Sequence, residues 1–128
     1  MLKKTPVIIL ILCVLGCVTA TSKGPVEGRV NHIVLCWLKE PGNADHRQRV
    51  IETSESFRQI PGVLEVRVGQ VVLSDRTIVD DSFDVGMCIA FSTVDAMTAY
   101  INHPTHKKAV DEVLVPLVRK TVVHDFVE

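Results

Sequence analysis

The sequence predicts an α+β domain, an antiparallel sheet carrying helices on one face. Two observations lead there. Apolar periodicity switches between strand-like and helix-like in the order β-α-β-β-α-β, and proline or glycine punctuates several of the joins. At 128 residues the chain has the length of one such domain.

The first sixteen residues stand outside this pattern. Lys3 and Lys4 precede an apolar run, Val7 to Leu15, that ends in Gly16 and Cys17, which is the plan of a secretory signal. The run is shorter than the roughly 20 residues a membrane-spanning helix needs. "VLGC" (Val14 to Cys17) resembles the lipobox of bacterial lipoproteins, making Cys17 the expected lipidation site and first mature residue. A cut after Ala20, at "VTA", is the alternative and would release a soluble periplasmic protein. Residues 1–16 are therefore read as a lipoprotein-type signal peptide, 17–28 as a tether and 29–128 as the domain. Either cut places the domain outside the cytoplasm, and a lipidated Cys17 would hold it to the membrane of the cell envelope.

Losing Lys3 and Lys4 with the signal lowers the formal charge from −1 to −3. An acidic domain without a basic run offers no counter-charge to phosphates, so no nucleic-acid partner is expected. Of four cysteines, Cys13 leaves with the signal and Cys17 is the lipid site. Cys36 and Cys88 lie inside apolar segments, where two buried thiols are expected rather than a disulfide.

Within the domain, "RVNHIVLCWL" (Arg29 to Leu38) is apolar on both alternating sets and reads as a strand covered on both faces. Pro41 and Gly42 stop it, and Asn43 caps a helix to about Ile60 with Val50, Ile51, Ser54 and Phe57 on one stripe. Pro61 and Gly62 end that helix. "VLEVRVGQVVL" (Val63 to Leu73) alternates as a strand with one wetter face, and "FDVGMCIAFS" (Phe83 to Ser92) follows a polar loop as the next strand. Ser92 with Asp95 fits a capping pattern that opens a helix bearing Ala96, Met97, Tyr100 and Ile101. Pro104 breaks this helix, forces His103 toward an extended conformation and starts a second one. Val110, Val113, Leu114, Leu117 and Val118 recur along it at helical spacing, with Pro116 kinking or nearly ending it. "TVVHDFV" (Thr121 to Val127) closes as the last strand. This order is the split-βαβ, ferredoxin-like arrangement with its second helix divided. Such a sheet leaves its other face bare, and here that face is apolar, so pairing with a second copy is expected.

The histidines are the candidates for chemistry. His46 reads as solvated surface, and His124, beside Asp125 on a strand, as a buried structural residue pointing away from that acid. His32 lies mid-strand among apolar neighbours and lines either a pocket or the core. His103 and His106 flank the helix start in "AYINHPTH" (Ala99 to His106). They lack the third and fourth ligands a metal requires, and no glycine-rich loop, nucleophile triad or paired carboxylate is present, so no metal or cofactor is expected. A histidine near a helix N-terminus is held neutral and can accept a proton, and Tyr100, one turn earlier, could orient a substrate oxygen. Helix capping by His103 and a local hydrogen bond from His106 would account for the same spacing without a ligand.

"HIVLCWLK", "IPGVLEVRVG", "FDVGMCIAF", "AYINHPTH" and "VLVPLVRKTVVHDF" together resemble the stress-responsive α/β-barrel (Dabb) family over the whole domain. The resemblance implies a protomer whose sheet meets a partner's sheet in a dimeric barrel. In the plant polyketide-cyclase branch the second histidine of His-Pro-x-His is the base and the preceding tyrosine assists. By position those roles fall on His106 and Tyr100, with His32 and His103 contacting the ligand. Two functions follow as expectations: a homodimeric lipoprotein holding a small apolar ligand, or a cofactor-free lyase or cyclase using His106 and Tyr100.

Overall fold

The computed structural model describes residues 27–128, so the signal peptide, Cys17 and nearly all of the tether lie outside the described residues. Strands β1 (Glu27–Leu38), β2 (Val63–Gln70), β3 (Val85–Thr93) and β4 (Val118–Val127) form one sheet in the order β2-β3-β1-β4, and all its neighbours are antiparallel. Helix α1 (Ala44–Ser56) follows β1, while α2 (Val94–Asn102) and α3 (Pro104–Ala109) follow β3. A π-helical turn, Val110–Leu114, and a three-residue helix, Val115–Leu117, then lead into β4. The expected element order is present.

The central strand β1 is apolar on both sets of alternating positions because both its faces are occupied. Val30, Val34, Cys36 and Leu38 point into the core with Val85, Ile89 and Phe91 of β3, Val66 of β2, and Val50, Phe57, Met97 and Tyr100 from the helices. On the other face lie Asn31, Ile33, Leu35 and Trp37. That face is only partly bare, contrary to expectation. The loop between β2 and β3 folds over one end of it, where Trp37 donates to the Ser82 hydroxyl (3.0 Å) and packs edge-on against Phe83. Asp84 anchors the loop's far end, its carboxylate accepting from the backbone N–H of Leu38 and of Gly42 at 2.9 Å each. What is left is a basin of about 760 Å³ bordered by Ile33, Leu35, Cys88 and Phe126.

Several local expectations shift. β1 begins at Glu27 rather than Arg29, because the chain ahead of it already pairs with Thr93 of β3. β2 ends at Gln70, leaving Val71 to Leu73 in the loop. The cap of α2 is Thr93, whose hydroxyl accepts from Ala96 N–H at 3.1 Å, and not Ser92. Val118 opens β4 instead of closing a helix. His124 is exposed on the open face rather than buried, its register partner being Ile33. His46 is half-buried, and its Nδ1 is buried without a partner among the described residues. Cys36 and Cys88 are free thiols on opposite faces of the sheet; burial pushes the Cys36 thiol up to about 11.

Candidate functional site

The chain between α2 and α3 explains why two histidines flank Pro104. Proline has no N–H and its ring disfavours helix in the preceding residue, so α2 stops at Asn102 and His103 is extended (φ −65°, ψ 136°). His103 then caps α3, its Nδ1 accepting from Thr105 N–H at 3.2 Å. With Thr105 N–H used there, the carbonyl of Ile101 in the last turn of α2 is left over. His106 satisfies it, Nδ1–H donating to Ile101 O at 3.1 Å. One consequence is chemical. The proton of a neutral His106 sits on Nδ1, which leaves Nε2 with its lone pair free to accept another.

His106 borders a cavity of about 440 Å³ between the helix-facing side of β1 and β4 and the α2–α3 segment. Its polar lining is His32, Tyr100, His106, Thr121 and Asp125, and the rest is apolar, including Phe57, Met87, Val110 and Leu114. The π-helical turn exists because Pro116 cannot donate and would collide with the carbonyl four residues back. Val115 N–H bonds Val110 O instead, and the widened turn presents both Val110 and Leu114 to the cavity.

Three of the expected site residues meet here. The Tyr100 ring lies 4.5 Å from that of His106 and 6.1 Å from that of His32 between centroids, and Phe57 stacks against both Tyr100 and His106. Tyr100 is 1% exposed, and burial raises its hydroxyl above the ordinary tyrosine range, so it is a donor at neutral pH. The His106 imidazole is lowered, first by burial and then by the nearby His32, against the opposing pull of its bond to Ile101. Burial, rather than the N-terminus of the short α3, is the main cause of that lowering. His103 is the fourth expected residue, and it does not border the cavity.

Asp125 is the site residue that the sequence reading missed. It sits opposite His32 in the β1–β4 register and accepts from His32 Nδ1–H at 2.6 Å, fixing that ring as well. Nothing in the sequence sets the register of two strands that no hairpin connects, so only the strand parity of Asp125 was legible. No group of three or more histidine, cysteine, aspartate or glutamate side chains is placed to hold a metal among the described residues. The arrangement can bind a mostly apolar molecule and hold one oxygen of it between a hydroxyl donor and an imidazole acceptor.

A family model described as the stress responsive A/B barrel domain (Dabb) matches residues 30–128. The chain belongs to that family. Among the curated proteins no sequence matches. Solved Dabb-like structures share the fold at low identity. A Dabb family protein of ferredoxin-like fold from Mesorhizobium loti is 23% identical, with 80% of this chain and 98% of that one covered and a TM-score of 0.66. A dimeric ferredoxin-like protein of unknown function from Bacteroides fragilis is 20% identical, covering 80% and 98%, with a TM-score of 0.64. A hydroxynitrile lyase from Passiflora edulis is 21% identical, covering 80% and 95%, with a TM-score of 0.66. At these identities the likeness establishes the ferredoxin-like fold of the Dabb domain and no more.

Proposed function

We propose that this Dabb domain binds a small, mainly apolar carbonyl or hydroxyl compound in the 440 Å³ cavity and moves a proton on it, in a lyase- or cyclase-type reaction. The observation that carries the reading is the meeting of Tyr100 and His106 on one cavity wall, with His106 Nδ1 occupied by Ile101 O and Nε2 left over. In this mechanism Tyr100 donates to the substrate oxygen and polarises it. His106 Nε2 accepts the proton that leaves, and the buried, apolar surroundings of Phe57, Met87 and Leu114 strengthen both interactions. His32, oriented by Asp125, is a second imidazole on the wall of the same cavity. That a structural relative is by name a hydroxynitrile lyase favours proton-transfer chemistry over simple ligand storage.

The functional unit is proposed to be a homodimer joined through the open sheet face, in keeping with dimeric relatives of the same fold. The chain is further proposed to reach the cell envelope and to be tethered there through Cys17, on the strength of the lipobox-like "VLGC". A panel of small aldehydes, ketones and cyanohydrins tests the chemistry. Turnover of a panel member should fall by about a hundredfold or more in His106→Ala and by about tenfold in Tyr100→Phe, in line with the usual size of general-base and hydrogen-bond contributions. Turnover equal to the parent in His106→Ala would remove this histidine from the mechanism.

A further inference from the structure

The cavity carries one formal charge that the proposed proton transfer does not need. Asp125 lies on its wall, and its side chain is 42% exposed at the edge strand β4. No lysine or arginine lines the cavity to balance it among the described residues. The hydrogen-bond partner of Asp125 is His32, at 2.6 Å, and Arg119 borders an adjoining groove that shares Val110, Leu114 and Thr121 with the cavity without lining it. Lys108 extends toward Glu112 on the outer surface of the helical segment, at 4.0 Å, and Lys120 lies over the Trp37 ring on the opposite face of the sheet, at 4.3 Å. His106, partly buried, is disfavoured as a cation. The remaining lining is apolar apart from Thr121, Tyr100 and His32.

We infer that Asp125 is a charge filter for this cavity, which accepts neutral or cationic molecules and turns away their carboxylate counterparts. The inference rests on the reading of the cavity as a ligand site and adds to it the charge class of the ligand. The physical basis is the field of one half-exposed carboxylate beside an apolar space, where like charges repel more than in bulk water and solvent at the exposed edge weakens that repulsion without removing it. Desolvation disfavours any ion in the cavity, so a pair of ions of opposite sign isolates the contribution of Asp125 from that general penalty.

Three matched probes, benzyl alcohol, benzylamine as its ammonium and benzoate, are titrated at pH 7.5 into the full chain carrying Cys17→Ala, and Tyr100 and His106 resonances are followed by NMR. The alcohol should perturb both residues, and the ammonium should bind about tenfold more tightly than benzoate. In Asp125→Asn the two ions should come within about twofold of one another. Thr121→Lys, which places a cation on the same wall without disturbing the His32–Asp125 pair, should turn the preference toward benzoate. Benzoate binding as well as the ammonium in the parent would overturn the inference, as would an ion preference unchanged by both substitutions. Failure of all three probes to perturb Tyr100 and His106 would instead overturn the ligand site itself.

Discussion

At the scale of single residues, His106 carries most of the account. Its pKa is depressed by burial, which fixes the sign of two pH effects. A base that stays neutral below the ordinary histidine pKa of about 6.5 keeps accepting protons at mildly acidic pH, so the acid limb of a rate profile should lie below that value. The same depression links to folding. A depressed group gives stability that is present above the unfolded pKa and lost as pH falls through the folded one, because the unfolded chain binds the proton first. Stability followed by urea unfolding should therefore decline below about pH 6.5, and less steeply in His106→Gln than in the parent. Asp84 tests a structural role in the same measurement. Replacing it by alanine leaves the N–H groups of Leu38 and Gly42 without their carboxylate, and the loss should be about 2 to 3 kcal/mol.

Among the elements, the helix pair joined by "NHPTH" was the most legible from sequence. Proline at 104 dictates a break, and the structure assigns His103 and His106 the two capping tasks that a break creates. Spacing alone could not separate capping from chemistry, and the geometry shows why: the capping bond of His106 is also what frees its other nitrogen. The π-helical turn was not legible, since Val110, Val113, Leu114 and Leu117 fit an α-helix as well, and only the collision imposed by Pro116 widens the turn. The join of β1 to the end of β4 was equally hidden. Gly28 has φ +131°, and a Cβ there would stand 2.3 Å from the Glu128 carbonyl oxygen. Gly28→Ala should therefore unpair the last residues of β4, including the Glu128 N–H bond to Arg29 O, and amide exchange there should rise by tenfold or more.

For the whole molecule, the predicted split-βαβ order is present, and what the sequence could not supply was the path of the loop between β2 and β3. That loop covers one end of the open face while exposing Val72 and Ile78, which are 81% and 84% accessible. Val72 borders the same basin as Ile33, Leu35 and Phe126, and contiguous apolar surface of this kind marks an interaction site. Ile33→Arg, at the centre of the open face, should yield a monomer by light scattering where the parent is expected to run as a dimer, and a dimer in both would place the interface elsewhere. In cells, Cys17→Ala should move the protein from the membrane fraction to the soluble fraction. Continued membrane association would count against the lipid tether.

The central claim, that His106 removes a proton from a compound bound beside Tyr100, can be read before any natural substrate is known. Acetophenone incubated in D₂O with the full chain carrying Cys17→Ala should exchange the hydrogens on the carbon next to its carbonyl, and ¹H NMR follows their loss. The exchange should run at least about tenfold faster than with the same chain carrying His106→Gln, which keeps the cavity but loses the imidazole. Equal rates for the two proteins, with acetophenone bound to both, would contradict the account.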